Sequence, residues 1–254
     1  MNLFHTSQTE LGPISKIEDL MDLLLVRDQE PENEWIYRGQ REAMWWPVPK
    51  IDRPDFVRYR ESRQWSRRMH EDLVLTDFTK WARPHLPITP ESKWEWLAIA
   101  QHHGLATRLL DWTVNPLAAL FFAVEEPESL HHSALWAYHH GESSWTHPKN
   151  EDPFNGKEIT SFWPPHVSPR ISLQAACFTV HPEPTGAADY IWQGDRVRIQ
   201  IEKSARRKIL RDLGKLGITR ASLFPDLDGV AATMNWRFSS THDEGQSVES
   251  ATGS

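Results

Sequence analysis

The stretch Trp94–Glu126, WEWLAIAQHHGLATRLLDWTVNPLAALFFAVEE, decides how the chain folds. Its first part repeats apolar residues at helical spacing and reaches Gly104, a residue type that commonly ends helices. Asn115 then has the pattern of an N-cap, with a proline at the first helical position after it. The helix that follows, Leu117–Val124, is apolar nearly all round and is therefore predicted to be buried.

Between these two helices, Thr107–Thr113 mixes charged and bulky apolar residues, and it is predicted to be a tight polar connection. Arg108 and Asp111 lie in it, and burying either charge without a partner costs several kcal/mol. Two interpretations follow. The residues form a structural Arg108–Asp111 pair, or they line a ligand cleft at the N-terminus of the second helix, where free N–H groups suit an anion.

The rest of the chain predicts an α+β fold with a small, mostly antiparallel split sheet and helices on its flanks. Strands are expected near residues 35, 135, 178 and 198, and the helical stretches between them are unequal, without regular βαβ alternation. Further helices are expected over about 15–27, 55–81, 204–213 and 221–235.

Three segments are distinguished along the chain. Residues 1–33 are expected to form an N-terminal accessory region, with a loose start over 1–14 and one helix. Residues 34–238 form the main domain, and the small, polar and acidic residues 239–254 are predicted to be a disordered tail. Within the main domain, residues 141–169 are a long Pro-rich insertion, and such loops are usually functional or mobile.

Composition limits the classes of protein that fit. No apolar run approaches the roughly 20 residues of a membrane span, and the first residues lack a secretory signal pattern, so no membrane partner is expected. A lone cysteine, Cys177, excludes an intrachain disulfide and favours the cytoplasm. The net charge of −7 disfavours nucleic acid as a partner.

The arginines of the 55–81 helix leave two alternatives. The first is a solvated helix face, and the second is a basic face for a phosphate-bearing partner such as nucleic acid, which is not favoured because the whole chain is acidic. The residues concerned are Arg58, Arg60, Arg63, Arg67 and Arg68.

Several kinds of chemistry lack their motifs. The thirteen histidines include no HExxH, and one cysteine cannot build a typical zinc site, so no metal is expected. Cys177 lies inside an apparent strand, where a free cysteine usually serves as a small core residue. A Walker loop, a GxGxxG motif and a Gly-x-Ser-x-Gly elbow are all absent.

Polar residues at predicted strand ends and helix starts are the remaining candidates for a binding or catalytic site. Gly39 follows a predicted strand, and a glycine there permits close approach of a ligand or a positive φ angle. The polar candidates are Arg38, Gln40, Gln101, Thr107, Arg108, Asp111, Thr113 and Gln174.

Four blocks of the chain resemble the FRG domain family, which is named for a Phe/Tyr-Arg-Gly motif. QHHGLATRLLDWTVNPLAALFFA, residues 101–123, is similar to the central signature of that family, and YRGQ, residues 37–40, lies upstream of it. Gln174 with CFTVHP, residues 177–182, and LFPDLDG, residues 223–229, resemble its downstream blocks.

The resemblance implies an ADP-ribosyltransferase-like fold with NAD as substrate. Arg38 would then grip the NAD ribose or phosphates, and Thr107–Thr113 with Trp112 would form the nicotinamide wall. Gln174 falls where a late strand would supply a carboxylate. Because a neutral amide cannot stabilise an oxocarbenium-like transition state by charge, that charge is expected from Asp111, Glu125 or Glu126, or the activity is weak or absent.

Two functions are therefore carried forward. The first is an NAD-binding, ADP-ribosyltransferase-like protein that cleaves the nicotinamide–ribose bond, with transfer to a macromolecule or to water. Its expected cofactor-binding set also includes Gly39, Gln40, Gln101, Arg108 and Thr113, and its class would be a toxin, a phage-defence effector or a regulator. The second is a non-catalytic module that binds a nucleotide, a phosphate-bearing ligand or a protein.

Overall fold

The computed structural model describes residues 8–25, 35–56, 66–128, 130–139, 152–164, 172–184, 192 and 194–239. In these ranges the strands are β1 Gln8–Ile14, β2 Trp35–Gln40, β3 Leu109–Thr113, β4 Ser133–His139, β5 Thr160–Phe162, β6 Ala176–Val180 and β7 Asp195–Ile201. The α-helices are α1 Ile17–Leu25, α2 Arg67–Ala82, α3 Lys93–His102, α4 Pro116–Val124, α5 Arg206–Lys215, α6 Arg220–Leu223 and α7 Leu227–Arg237.

The strands form one seven-stranded sheet in the order β1-β7-β4-β2-β3-β6-β5. β1 runs parallel to β7, and the other neighbouring strands run antiparallel. The predicted α+β class with a mostly antiparallel sheet is therefore confirmed. None of the helices in the described ranges has the length and apolar character to cross a membrane.

Backbone pairing between neighbouring strands is least extensive at the junction of β2 and β3. β2 pairs with β4 along its whole length, from Trp35 opposite His139 to Gln40 opposite Ala134. In the described part of the chain, β2 and β3 are joined by the single pair Tyr37–Thr113. Beside that pair, the backbone carbonyl of Asp111 accepts a hydrogen bond from the Arg38 side chain. The expected likeness of this junction to the split sheet of ADP-ribosyltransferases stays a prediction.

Two groups of helices cover one face of the sheet, one on each side of this junction. Helices α1, α4 and α5 pack on β4 and β7 in one apolar core, which contains Leu20, Leu120 and Ile199. Helices α2 and α3 pack on β3, β5 and β6 in a second core that contains Trp94 and Phe178. Because Tyr37 and Thr113 are cross-strand partners, and side chains alternate along a strand, the two cores lie on the same face.

The opposite face carries a cluster of buried aromatic side chains. The ring centroids of Trp112 and Tyr138 lie 5.8 Å apart, and those of Tyr138 and Trp192 lie 4.9 Å apart. Burial raises the pKa of Tyr138 to about 12, although Arg196 opposes that shift. Trp136 and Cys177 are also buried in this cluster, so Cys177 is a core residue as predicted.

The largest error of the sequence prediction concerns Thr107–Thr113. This segment was expected to be a polar connection, but Leu109–Thr113 is strand β3 near the centre of the sheet. Leu109, Leu110 and Trp112 are buried on its two faces, and Asp111 is the exposed residue among them. Burial on both faces removes the simple alternation that identifies a half-exposed strand from sequence.

The N-terminal start also differs from its prediction. Gln8–Ile14 is an edge strand paired with β7, where a loose start was expected. Helix α1 lies within the predicted range 15–27. The boundaries proposed at 33 and 239 stay predictions, and residues 240–254 of the expected disordered tail lie outside the described residues.

Three further expectations are corrected. The helix expected over 204–213 begins at Arg206, after a short 3-10 turn over Lys203–Ala205, and ends at Lys215. The helix expected over 221–235 is two helices, because Pro225 separates α6 from α7, and Asp226 caps the second. The described part of the 141–169 insertion, residues 152–164, is packed rather than loose, with Phe162 completely buried.

Candidate functional site

The side chain of Arg38 lies in the gap between β2 and β3. Its Nη1 donates a hydrogen bond to the Asp111 carbonyl at 2.7 Å and lies 3.7 Å from the Asp111 carboxylate. Only 16% of the Arg38 side chain is exposed, whereas 55% of the Asp111 side chain is. The guanidinium therefore occupies the junction itself, and the carboxylate faces solvent at its mouth.

Gln101 and Thr107 hold the Asp111 carboxylate from the helical side. Gln101 Nε2 donates to Asp111 Oδ2 at 2.9 Å, and Gln101 Oε1 accepts from the Thr107 hydroxyl at 2.6 Å. Thr107 Oγ1 in turn accepts from the backbone N–H of Leu109 at 3.0 Å. This chain of bonds fixes the amide orientation of Gln101, because its oxygen and nitrogen have different partners.

A second guanidinium, that of Arg53, interacts electrostatically with this pair. Asp111 raises the pKa of Arg53, against a larger lowering by burial. The pKa of Arg38 is likewise lowered by burial, raised by Asp111, and lowered further by Arg53. Both arginines remain protonated in a protein. The junction therefore carries two positive charges and one negative charge in its immediate surroundings.

Local structure positions Arg53. It follows a 3-10 turn over Lys50–Asp52, and its Nε donates to the carbonyl of Val48 at 3.2 Å. The turn is attached to the segment before β3 by the bond from Ile51 N–H to the Thr107 carbonyl, at 3.4 Å. The Asp52 side chain is completely buried against Arg67, with 3.0 Å between Oδ2 and Nη2. Arg53 is thus held on an anchored turn.

Arg108 does not belong to this cleft, although it was expected there. Its guanidinium forms a bidentate pair with the Glu71 carboxylate, in which Nε donates at 2.9 Å. Nη1 of Arg108 donates to the Pro153 carbonyl at 3.1 Å. Both side chains of the pair are almost completely buried. The predicted Arg108–Asp111 pair is therefore wrong: Arg108 precedes β3 and pairs with Glu71, whereas Asp111 lies within β3 and contacts Arg38 and Gln101.

Of the two described arginines of α2, Arg67 fits neither of the alternatives proposed for them. Arg67 has no exposed surface and pairs with Asp52 and Glu71, so it lies in the interior and not on a solvated or ligand-binding face. Arg68 is exposed and pairs with Asp72 and Asp152. Arg58, Arg60 and Arg63 lie outside the described residues.

Trp112 is a core residue and does not form the wall of an open pocket. It is 3% exposed, and its indole N–H donates to Thr179 Oγ1 at 2.8 Å. The same hydroxyl lies 2.8 Å from Nε2 of His181, which is completely buried. Burial lowers the pKa of His181 well below its usual value, and Arg67, Arg38 and Arg108 lower it further, so this histidine is neutral at pH 7.

Gly39 and Gln40 contact the protein itself. A Cβ on Gly39 would lie 2.1 Å from the Ala119 carbonyl and 2.5 Å from the Ala123 nitrogen, so glycine is required here by the close approach of α4. Gln40 is buried, and its Nε2 donates to the carbonyl of Trp46 at 3.3 Å. The close approach predicted at Gly39 therefore exists, but to a helix of the same chain.

Thr113 and Gln174 are in contact at the C-terminal end of β3. The Thr113 hydroxyl donates to the Gln174 carbonyl at 2.6 Å and accepts from the Asn115 N–H at 3.0 Å. The Gln174 side-chain amide donates to the Leu223 carbonyl at 3.0 Å. Of the four candidates Arg38, Arg108, Asp111 and Gln174, the structure brings Arg38 and Asp111 into contact. Gln174 is engaged with α6, and Arg108 is engaged with Glu71.

The N-terminus of α4 is already capped. Asn115 Oδ1 accepts from the N–H groups of Leu117 and Ala118, so these donors are not available to an anion. The cap predicted at Asn115 is confirmed, and the anion site predicted at the same helix end is wrong. The two other carboxylates considered are paired elsewhere, Glu125 with Arg220 and Glu126 with Arg41.

Comparison with known proteins bears on the region that contains this cleft. The FRG domain family model matches residues 33–132. This part of the chain is similar to FRG domains. No curated protein and no solved structure matches the chain.

The FRG domain match includes every residue of the cleft. Arg38 of the YRG motif and Asp111 of the central signature, which are far apart in sequence, are in contact within it, and Gln101 and Thr107 link that signature to the same carboxylate. The downstream blocks that resemble the family, from Gln174 onward, lie beyond the match.

Arg53 is the site residue that sequence reasoning missed. It lies between Pro49 and Pro54, just before the helix expected over 55–81, and no periodic pattern includes it. Its position in the chain, 15 residues after the YRG arginine and inside the FRG domain match, is the one signal that could have pointed to it. No group of three or more metal-ligating side chains is found in the described ranges.

Proposed function

We propose that the cleft at the β2–β3 junction binds NAD and cleaves its nicotinamide–ribose bond, with transfer of ADP-ribose to a macromolecule or to water. The observation that carries this proposal is the position of Arg38. Its guanidinium is mostly buried in the junction, beside the exposed carboxylate of Asp111. A cation and an acid at the mouth of one cleft suit a substrate that carries both a diphosphate and a reacting ribose.

The binding half of the proposal rests on the two guanidinium groups. Arg38 and Arg53 lie close enough to Asp111 to share its field, and together they leave the cleft with one excess positive charge. Nε of Arg38 is buried without a hydrogen-bond partner among the described residues. Planar guanidinium forks match the oxygens of a diphosphate better than ammonium groups do.

The catalytic half rests on Asp111. When the bond between the ribose C1′ and the nicotinamide nitrogen breaks, its electron pair leaves with neutral nicotinamide, and positive charge develops on the ribose. A nearby carboxylate stabilises that charge. A water or an acceptor group then attacks C1′ and loses a proton. Asp111 is the candidate carboxylate, because Glu125 and Glu126 are paired elsewhere and Gln174 is neutral.

A non-catalytic binding module is the second candidate. Asp111 already lies 3.7 Å from Arg38 and accepts a hydrogen bond from Gln101, so its charge is partly compensated in the free protein. Such a cleft would bind a nucleotide or another phosphate-bearing ligand without breaking a bond.

The setting is part of the same proposal. Cys177 is the one cysteine of the chain and is buried, so no intrachain disulfide forms, and we place the protein in the cytoplasm on that basis. The acceptor is unidentified, and a role as a toxin or a phage-defence effector is what the resemblance to the FRG family implies.

Binding is tested by calorimetric titration of NAD into the wild type and into two variants, Arg38→Ala and Arg38→Lys. Both variants are expected to lose about 10- to 150-fold in affinity, because lysine keeps the charge but not the fork, and a charge-assisted hydrogen bond contributes roughly 1.5–3 kcal/mol. Melting temperatures should fall less than binding does. Unchanged affinity in folded Arg38→Ala would remove Arg38 from the site, and no binding by the wild type would overturn the choice of NAD.

Catalysis is tested by nicotinamide release from NAD by the wild type and by Asp111→Asn. The variant keeps the hydrogen bond from Gln101 but has no charge, so release is expected to fall at least about 100-fold while NAD is still bound. Release at the wild-type rate by Asp111→Asn would exclude Asp111 as the stabilising carboxylate. NAD binding without any release by the wild type would favour the binding module.

A further inference from the structure

The loop that follows β2 presents an exposed indole next to the cleft. Trp46 is 52% exposed, which is high for a side chain of this size. Its backbone carbonyl accepts a hydrogen bond from Gln40, and its ring packs on that of Trp136 with 5.5 Å between centroids. Trp136 has no exposed surface. One side of the Trp46 indole is thus supported by the core, and its remaining surface faces solvent.

Strand register places this indole beside Arg38. Trp136 on β4 is the cross-strand partner of Arg38 on β2, so the two side chains leave the same face of the sheet. Neighbouring strands are about 4.8 Å apart. Because its ring packs on Trp136 of β4, Trp46 lies on the face of the sheet that the Arg38 side chain leaves, one strand away from β2.

The same loop also holds the second guanidinium. Arg53 Nε donates to the carbonyl of Val48, two residues after Trp46. The loop is fixed at its start by the bonds from Ala43 N–H to the His132 carbonyl, at 2.8 Å, and from Arg198 Nη1 to the Ala43 carbonyl, at 3.0 Å. The exposed ring of Trp46 and the Arg53 side chain therefore belong to one anchored segment, residues 43–53, which follows the strand that carries Arg38.

We propose that Trp46 is a stacking subsite for the adenine ring of the nucleotide whose diphosphate binds Arg38 and Arg53. This inference rests on the proposed function and adds the part of the ligand that the cleft itself does not contact. A purine has a flat face that suits an indole, and stacking of a base on an aromatic side chain is worth about 5- to 150-fold in affinity, converted from roughly 1–3 kcal/mol per base.

The neighbouring Trp45 provides a matched control. It is 51% exposed, almost the same as Trp46, and its ring lies near Arg41, with 6.0 Å from the guanidinium carbon to the ring centroid. In the described part of the structure, the ring contact with Trp136, and through it the proximity to Arg38, belongs to Trp46. General loss of exposed aromatic surface would therefore affect both variants, whereas loss of the subsite would affect only one.

The test measures the dissociation constants of ADP-ribose and of nicotinamide mononucleotide, which lacks adenine. Trp46→Ala is expected to weaken ADP-ribose binding about 5- to 150-fold and to leave nicotinamide mononucleotide binding unchanged. Trp46→Phe should recover most of the loss, and Trp45→Ala should bind both ligands like the wild type. A thermal melt of each variant confirms that the loop change has not unfolded the protein.

Three outcomes would overturn the inference. Wild-type affinity of Trp46→Ala for ADP-ribose would exclude the subsite while leaving the proposed function intact. Equal losses for the two ligands, or equal losses in Trp45→Ala and Trp46→Ala, would show that adenine is not what Trp46 contacts. A wild-type protein that binds neither ligand would instead remove the proposed function, and the subsite with it.

Discussion

Arg38 and Arg108 show how far the same residue type can differ in role. Both were candidates for NAD binding. Arg108 is enclosed, with the Glu71 carboxylate and the Pro153 carbonyl as partners and the Phe154 ring 4.7 Å from its guanidinium carbon. Arg38 faces an exposed carboxylate at the mouth of a gap in the sheet. The first stabilises the fold, and the second is the one that we propose binds the ligand.

Substitution of Arg108 should therefore affect stability and not binding. Arg108→Ala leaves the Glu71 carboxylate buried with only Arg67, whose Nε is 3.6 Å away, so we expect the free energy of unfolding to fall by about 3–5 kcal/mol. Denaturant unfolding measures this loss. NAD affinity of the folded fraction should equal that of the wild type.

Arg68→Ala is the control for that measurement. The Arg68 side chain is 41% exposed and pairs with carboxylates at the surface, so its loss should cost less than about 1 kcal/mol. Equal losses in the two variants would contradict the structural role of Arg108. So would a stable Arg108→Ala protein that no longer binds NAD.

At the scale of the element, β2 and α4 are packed so closely that a hydrogen atom is all that fits between them. The position is Gly39, whose added Cβ would meet backbone atoms of Ala119, Phe122 and Ala123 within 3 Å. Gly39→Ala should force the helix away from the strand that carries Arg38, at a cost of about 1–3 kcal/mol or more. A thermal melt should show a clear fall in melting temperature.

Gly156→Ala is the corresponding control, because a Cβ there would lie 3.8 Å from the nearest atom, the Glu158 carbonyl oxygen. That variant should melt like the wild type. Wild-type melting of Gly39→Ala would mean that α4 does not lie against β2 as described.

The elements with strong local signals were predicted from sequence. The cap at Asn115, the buried helix after it and the strand near 135 all depend on nearby residues, and all are confirmed. The positive φ of Gly104, 85°, likewise matches its expected role after a helix. The strands β1, β3 and β5 were missed, because strand pairing depends on partners elsewhere in the chain. β1 is stabilised by β7, and β3 by β6.

The site was predicted in part for the same reason. Arg38, Gln101, Thr107 and Asp111 were selected as polar residues at element ends, and the structure links them in one network. The sequence did not identify which of the two nearby charged residues, Arg108 or Asp111, is buried against a partner. The partner of Arg108 is Glu71, 37 positions away, and no local pattern connects those two residues.

At the scale of the whole molecule, the sheet itself creates the cleft. Pairing between β2 and β3 is limited to Tyr37 and Thr113 in the described residues, so the backbone carbonyl of Asp111 accepts from the Arg38 side chain. The two helical layers also meet along this line. The Arg38 guanidinium thus joins β2 to β3 next to the exposed carboxylate of Asp111.

The most direct test of the account is a crystal structure of the protein with NAD bound. The account predicts the NAD diphosphate between the guanidinium groups of Arg38 and Arg53, with the nicotinamide ribose next to the Asp111 carboxylate. NAD bound elsewhere on the protein, with the gap between β2 and β3 still closed by Arg38 and Asp111 alone, would contradict it.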